Sequence, residues 1–249
     1  MRYSKATLIL STFGAFASMA SAQSFSGSVD NLCNVSGGST INRNWAVLAP
    51  GQNCVSLRLD NAGPGVTGFG QSLASPGLLM TSRDISSAGI PYGQSWGKAT
   101  YRDAVRWTGT APITVRVCAR LAGDLWVGGS NPMQTDSSVY ANFGFFADGY
   151  SINQTMQRGK TVEGTWDTTR GGIADVIVTL QPGKWYTFTN TLQVNGDASD
   201  QTKPISSTFS SGSYSLKTWF QHVSGGGVGT LQSGSGHDYT VEPVLPAVQ

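Results

Sequence analysis

The strongest constraint on this chain is a period of two in its apolar residues. In PITVRVCARLAG, Ile113, Val115, Val117, Ala119 and Leu121 fall on one side of an extended backbone, with Thr114, Arg116, Cys118 and Arg120 on the other. A helix, repeating every 3.6 residues, does not gather that pattern onto one face, so the segment is predicted to be a half-buried strand. The same alternation runs through SVYANFGFF (Val139, Ala141, Phe143, Phe145), IADVIVTL (Ile173 to Leu180), WYTFTNTLQV (Trp185 to Val194) and SYSLKTWFQH (Ser213 to His222). Turn-forming clusters separate these runs: LAPGQN before Cys54, GGSNP at 128 to 132 and VNGDASD at 194 to 200. No stretch offers capped helical spacing. The expected fold is all-β, an antiparallel Greek-key β-sandwich of jelly-roll or Ig-like type, in a single large domain.

A second pattern points the same way. Leu180, Pro182, Gly183 and Tyr186 form L-x-P-G-x-x-Y, similar to the tyrosine corner of Greek-key sandwiches, in which a Tyr at the start of a strand bonds back to the corner it follows. Tyr186 is thereby read as structural. The segment from Asn61 to Trp96 is the least regular, and it reads as a long loop with room for short strands around Val66 to Phe69 or Gly77 to Met80.

The opening residues place Arg2 and Lys5 before an apolar run from Ala6 to Phe16 and end in Ala20, Ser21, Ala22. Residues 1–22 are expected to be a secretory signal peptide, with the β-sandwich on 23–249. The apolar run is shorter than the roughly 20 residues of a membrane span, and no later run approaches that length. The mature chain is therefore expected to have no transmembrane segment and to be secreted, extracellular or periplasmic, from a bacterial cell. Losing Arg2 and Lys5 takes two from the 16 basic residues, leaving 14 against 14 acidic ones. That balance argues against nucleic acid as a partner, because tracking phosphates needs a basic excess. With only 12% charged residues, the surface is hydrated by hydroxyls and amides, and its weak net repulsion permits self-association.

Cys33 and Cys54 flank turn-rich sequence and close a short loop, so in an oxidising compartment they are the natural disulfide pair, worth on the order of 3 kcal/mol by loop entropy. Cys118 sits in a strand-like run and reads as a small packed residue rather than a reactive thiol.

Gly93, Gln94, Ser95, Trp96 and Gly97 spell G-x-S-x-G, the pattern of a hydrolase nucleophile elbow. An elbow needs a buried strand before it and a helix after it. Here SSAGIPY precedes, and KATYRDAVRW follows with strand alternation (Ala99, Tyr101, Val105, Trp107) broken by Asp103. Both flanks are wrong, and no catalytic residue is assigned. A hydrolase would require Ser95 beside His222 or His237, with Asp103 or Asp175 as the acid. Two histidines and three dispersed cysteines give no zinc spacing, and no phosphate-binding or dinucleotide motif occurs, so neither metal nor cofactor is expected. Asn195, Asp197 and Asp200 offer clustered oxygens, but the EF-hand pattern is absent and a hairpin turn uses the same residues.

Seven tryptophans remain. Trp107, Trp185 and Trp219 lie on predicted strands and would fill the core, whereas Trp96, Trp126 and Trp166 are flanked by turn residues and are the candidates for an exposed ligand-binding surface.

The C-terminal stretch SYSLKTWFQHVSGGGVGTLQSGSGHDYTVEP combines an aromatic-bearing strand, a Gly-rich turn and S-G-S-G-H-D-Y. With GKATYRDAVRWTG it resembles the secreted β-sandwich ectodomains of bacterial PEP-CTERM-type exoproteins. That pattern continues into a sorting motif, a hydrophobic span and a basic tail, while this sequence stops at VEPVLPAVQ. The resemblance thus implies an anchorless relative with an envelope or biofilm-matrix role, and it carries over no catalytic residues. The functional expectation is a noncatalytic exoprotein acting at the cell surface or in the extracellular matrix by adhesion or self-association. The alternative is a carbohydrate-binding module, and the remaining possibility is a serine hydrolase at Ser95. The expected partners are a second copy of the chain or a surface or matrix polysaccharide.

Overall fold

A computed structural model describes residues 25–36, 40–49, 51–63, 66–88, 92–129, 136–147, 150–160, 165–166, 173–198 and 207–245. Two antiparallel sheets pack face to face, and no helix occurs among the described residues. The larger sheet runs in the order β10 (Thr165–Trp166), β9 (Tyr150–Lys160), β8 (Asp136–Ala147), β12 (Trp185–Ala198), β6 (Tyr92–Trp107), β1 (Ser26–Ser36) and β2 (Thr40–Val47). The smaller runs β11 (Ile173–Leu180), β7 (Ile113–Gly129), β13 (Ser207–Gly225), β5 (Leu78–Ala88), β4 (Val66–Ser75) and β3 (Val55–Gly63). A short β14 (Leu231–Ser233) pairs with Val105 to Trp107 of β6, beyond the stretch of β6 that β1 occupies. Consecutive strands cross repeatedly between the sheets, which gives the Greek-key order expected of such a sandwich.

Alternation decides what each strand buries. Ile113, Val115, Val117 and Ala119 of β7 face Phe143 and Phe145 of β8 and Tyr186, Phe188 and Leu192 of β12 in one core. Tyr186 is buried, and its hydroxyl accepts the Gln181 N–H at 2.9 Å across the Pro182–Gly183 turn, where Gly183 takes a φ of 74°.

The interior has two unlike halves. One is aromatic: Phe188, Phe220 and Tyr239 meet edge to face with centroids 5.1 to 5.8 Å apart, each pair contributing about 1 kcal/mol beyond its burial. The other is small and polar. There Ser72 Oγ donates to Asn31 Oδ1 at 2.6 Å and shares a 2.6 Å hydrogen bond with Thr81. A Cβ on Gly70 would meet the Trp96 carbonyl at 3.1 Å, and one on Gly97 would meet the Ser72 hydroxyl at 2.9 Å. Glycine and serine thus let the sheets approach more closely than larger side chains would allow.

This seam corrects the expectation for Asn61 to Trp96. It is not a loop: β4, β5 and the start of β6 occupy it. Gly70, Ser72 and Ala74 of β4 and Gly93, Ser95 and Gly97 of β6 are its inward residues. The alternation is present, but it alternates small with large, which apolar periodicity does not register. The expected turn at 194 to 200 is likewise corrected, since Val194 to Ala198 continue β12 in register with Gly97 to Gly93. Gly196 is needed there because the guanidinium of the fully buried Arg83 lies against it, donating to Ser210 O at 2.9 Å and to the Ser137 hydroxyl.

No disulfide joins Cys33 to Cys54. Cys33 Sγ lies between the sheets against Gly68, which pairs with Asn61, whereas Cys54 precedes Val55 at the opposite end of β3. Seven residues of extended chain separate the two levels, on the order of 20 Å, far beyond the Cα spacing of about 6 Å that a bridge tolerates.

Candidate functional site

The outer face of the larger sheet carries several of the surface aromatics. Register places Trp45, Asp30, Lys98, Gln193 and Tyr140 in one cross-strand row over β2, β1, β6, β12 and β8. The adjacent row holds Arg43, Leu32, Trp96, Asn195 and Ser138. With strands about 4.8 Å apart, Trp45 and Tyr140 stand roughly 19 Å from each other, and Trp96 lies between them one row away. Trp45 is 68% exposed, while Trp96 and Tyr140 are half-buried.

One arginine organises the Trp45 end. Arg43 donates from Nε to Asp30 Oδ1 at 3.0 Å and from Nη2 to Oδ2 at 2.5 Å, and its Cζ stands 5.6 Å over the Trp96 ring. The bidentate pair fixes the guanidinium plane, and the cation–π contact in turn fixes the indole. A shallow cavity of about 530 Å³ lies beside it, lined by Ser28, Asp30, Arg43 and Trp45. In the middle of the face, Gln193 Nε2 donates to Asn195 Oδ1 at 2.6 Å, and Asn195 Nδ2 donates to Ser138 Oγ at 3.4 Å. Thr100, Thr191 and Asn142 form the next polar row. Ring faces with preset amides and hydroxyls around them suit a ligand that presents both C–H surface and hydroxyl groups.

Of the three tryptophans expected to bind ligand, only Trp96 lies on this face with its side chain described. Trp126 is 60% exposed but belongs to the outer face of the smaller sheet, paired with Ser211. Trp166 pairs with Gly159, in the row that continues through Ser138 and Asn195 to Trp96, and its side chain lies outside the described residues. Trp107 is buried in the core as expected, whereas Trp219 is buried beside Cys118 on the outer side of the smaller sheet, and Trp185 is half-buried on the outer face of the larger sheet with Arg106 Cζ 4.8 Å over its ring. Trp45, Tyr140 and Arg43 were missed. Their signal was the outward set Arg43, Trp45, Val47 in TINRNWAV, which becomes readable only once its neighbour in the sheet is known.

Ser95 is fully buried, and its hydroxyl donates to the Phe69 carbonyl at 2.9 Å. Neither histidine lies beside it. His237 sits at Gly77, past the far end of β4 from Phe69, and His222 is exposed with a ring nitrogen 3.1 Å from Gly225 O. Asp175 is exposed on β11.

Asp103 instead ties down the S-G-S-G-H-D-Y segment. Its carboxylate accepts from the Ala104 N–H at 2.7 Å, the Ser235 N–H at 3.1 Å, Ser235 Oγ at 2.5 Å and the Tyr239 hydroxyl at 2.9 Å. Burial outweighs these four donors and raises the carboxyl above the usual range. The chain then passes to the other sheet, where Phe220 N–H donates to Tyr239 O at 2.7 Å and Glu242 meets Lys217 at 3.2 Å and Arg120 at 3.4 Å. Of the clustered oxygens at the end of β12, the Asn195 amide is engaged as described above, and the Asp197 side chain and Asp200 lie outside the described residues. Burial, with Asp175 nearby, pushes the Cys118 thiol up to about 11.

No family model and no curated protein matches this chain. One solved structure to which it is similar is described as the structural basis for the promiscuous specificity of the carbohydrate-binding modules from the β-sandwich superfamily. It is 11% identical and covers 75% of this chain and 72% of that one, at a TM-score of 0.17. A likeness at that score carries no argument about the ligand.

Proposed function

We propose that this chain is a secreted, noncatalytic β-sandwich that binds extracellular polysaccharide on the outer face of its larger sheet. The observation that carries this reading is the juxtaposition of Trp45, Trp96 and Tyr140 on one sheet face, with Gln193, Asn195 and Asn142 among them. Aromatic planes exclude water from the C–H faces of sugar rings, and amides held in fixed orientation bond the ring hydroxyls without reorganising. Lys98 and Arg102 add positive charge to the face, while Arg43 and Asp30 neutralise one another. The favoured ligand is therefore an acidic or neutral glycan rather than a cationic one. Attachment at a cell surface or in a matrix would follow from such binding.

The test is affinity electrophoresis through gels containing polygalacturonate or a soluble mixed-linkage β-glucan. The wild-type protein is expected to be retarded in at least one gel, and Trp45→Ala with Trp96→Ala to weaken polygalacturonate binding about tenfold or more. Unretarded migration of the wild type in both gels would refute the reading.

A further inference from the structure

The outer face of the smaller sheet repeats the arrangement found on the larger one. Arg58 Nε donates to both oxygens of Asp60 at 2.9 Å, and Arg58 Cζ stands 4.7 Å over the Phe69 ring. This is the constellation of Arg43, Asp30 and Trp96 built from other residues: an aromatic ring, a guanidinium over it and a carboxylate that fixes the guanidinium. A cavity of about 600 Å³ opens beside it, lined by Asp60, Thr67, Phe69, Asp84 and Ser86. Thr67 and Ser86 share a 2.8 Å hydroxyl contact at its wall. Register carries the row from Phe69 through Asp84 and Ser211 to Trp126, about 14 Å away over three strand spacings. Trp126 is 60% exposed and answers to Trp45 on the opposite side.

The two faces differ in charge. With Arg58 and Asp60 offsetting each other, Asp84 and Asp124 leave the Phe69 and Trp126 end of this face acidic, while Arg120 and Lys217 farther along it pair with Glu242; Lys98 and Arg102 leave the other face basic. Carboxylates accept hydrogen bonds from sugar hydroxyls and repel uronate or sulfate groups.

We infer that the Phe69, Asp84 and Trp126 face is a second glycan site, selective for a neutral hydroxyl-rich chain, so that one molecule joins two polysaccharide strands from opposite sides. The inference rests on the reading of the first face only for the class of ligand. Two sites on opposite faces of one sandwich are too far apart in direction to hold the same short stretch of glycan, and bivalence then produces cross-links and avidity without any new contact.

Affinity electrophoresis in mixed-linkage β-glucan tests the second site, and turbidity of a β-glucan and polygalacturonate mixture tests cross-linking. The Trp126→Ala and Asp84→Asn variants are each expected to weaken β-glucan binding about tenfold and leave polygalacturonate binding within twofold. The Trp45→Ala, Trp96→Ala variant is expected to keep measurable β-glucan retardation, and turbidity is expected with the wild type alone. β-Glucan binding unchanged in both Trp126→Ala and Asp84→Asn would overturn the second site. So would complete loss of binding in the Trp45→Ala, Trp96→Ala variant, although that outcome upholds the first face. A dimer in sedimentation velocity that Trp126→Ala dissociates would overturn it in favour of a second copy of the chain as the occupant. Failure of the first face reads out separately, as polygalacturonate binding that Trp45→Ala, Trp96→Ala leaves intact.

Discussion

The Tyr239 hydroxyl donates to Asp103 Oδ2 at 2.9 Å inside the core, across 136 residues of chain. Asp103 thus has its work in the architecture. It holds the segment that leaves β14 on the larger sheet and reaches β13 on the smaller, closing the aromatic end of the sandwich.

Replacing Asp103 by Asn should destabilise the fold by about 1 to 3 kcal/mol, because an amide offers one acceptor oxygen where Ser235 and Tyr239 now use two. Tyr239→Phe removes a single donor and should cost about 1 kcal/mol. Urea unfolding of the two variants and their combination measures both effects. The double variant should cost less than the sum, since the residues share one hydrogen bond.

Asp103 and His237 should leave opposite marks on the pH dependence of stability. Burial raises Asp103, so the folded state holds that proton more tightly than the unfolded one. Its contribution to stability therefore grows as pH falls through the raised value and stops growing below about 3.9. Burial lowers His237 from 6.5 despite the neighbouring Asp238, so the folded state expels that proton. Stability should decline as pH drops below 6.5 and level off under the lowered value. Denaturation series across this range should show the first slope vanish in Asp103→Asn and the second in His237→Gln.

Gly196→Ala should be among the most damaging single changes. The added Cβ would fall on the Arg83 guanidinium, which is enclosed between the sheets and has nowhere to shift. A loss of about 3 kcal/mol or more is expected, visible as a lower thermal midpoint. Gly183→Ala meets open space and has only its positive φ of 74° to contend with, so it should cost about 1 kcal/mol.

Thiol chemistry checks the cysteine geometry. Unfolded without reductant, the protein should yield three titratable thiols, and reductant should leave its thermal midpoint unchanged. In the folded state Cys118, with its pKa near 11, should resist alkylation at pH 8.

The strands with apolar inward residues were legible in the sequence. Ile173–Leu180 matches β11 in full, and Ile113 starts β7 as its alternation indicates. What escaped was structure written in small residues. Gly93, Ser95 and Gly97 look like an elbow or a turn because glycine and serine favour both, yet here they are the inward set of β6, chosen for the closeness of the opposite sheet. Asn195 and Gly196 read as a turn for the same reason, and only the position of Arg83 explains the glycine. The aromatic face proposed to bind ligand was legible in part. Trp96 was found from its own flanks, but pairing it with Trp45 and Tyr140 requires the strand order β2, β1, β6, β12, β8, and no local pattern encodes that order.

The crossing of the chain from Ser233 to Glu242 has a consequence for how the molecule comes into being. Tyr239 follows every strand among the described residues, yet it occupies the middle of the Phe188 and Phe220 aromatic group. A polypeptide emerging from its N-terminus must therefore keep that end of its interior ajar until nearly all the described residues have appeared. Contacts this distant in sequence are slow to form. The aromatic end of the sandwich is therefore completed only after its sheets have been synthesised, an interval in which a chaperone would find it pliable.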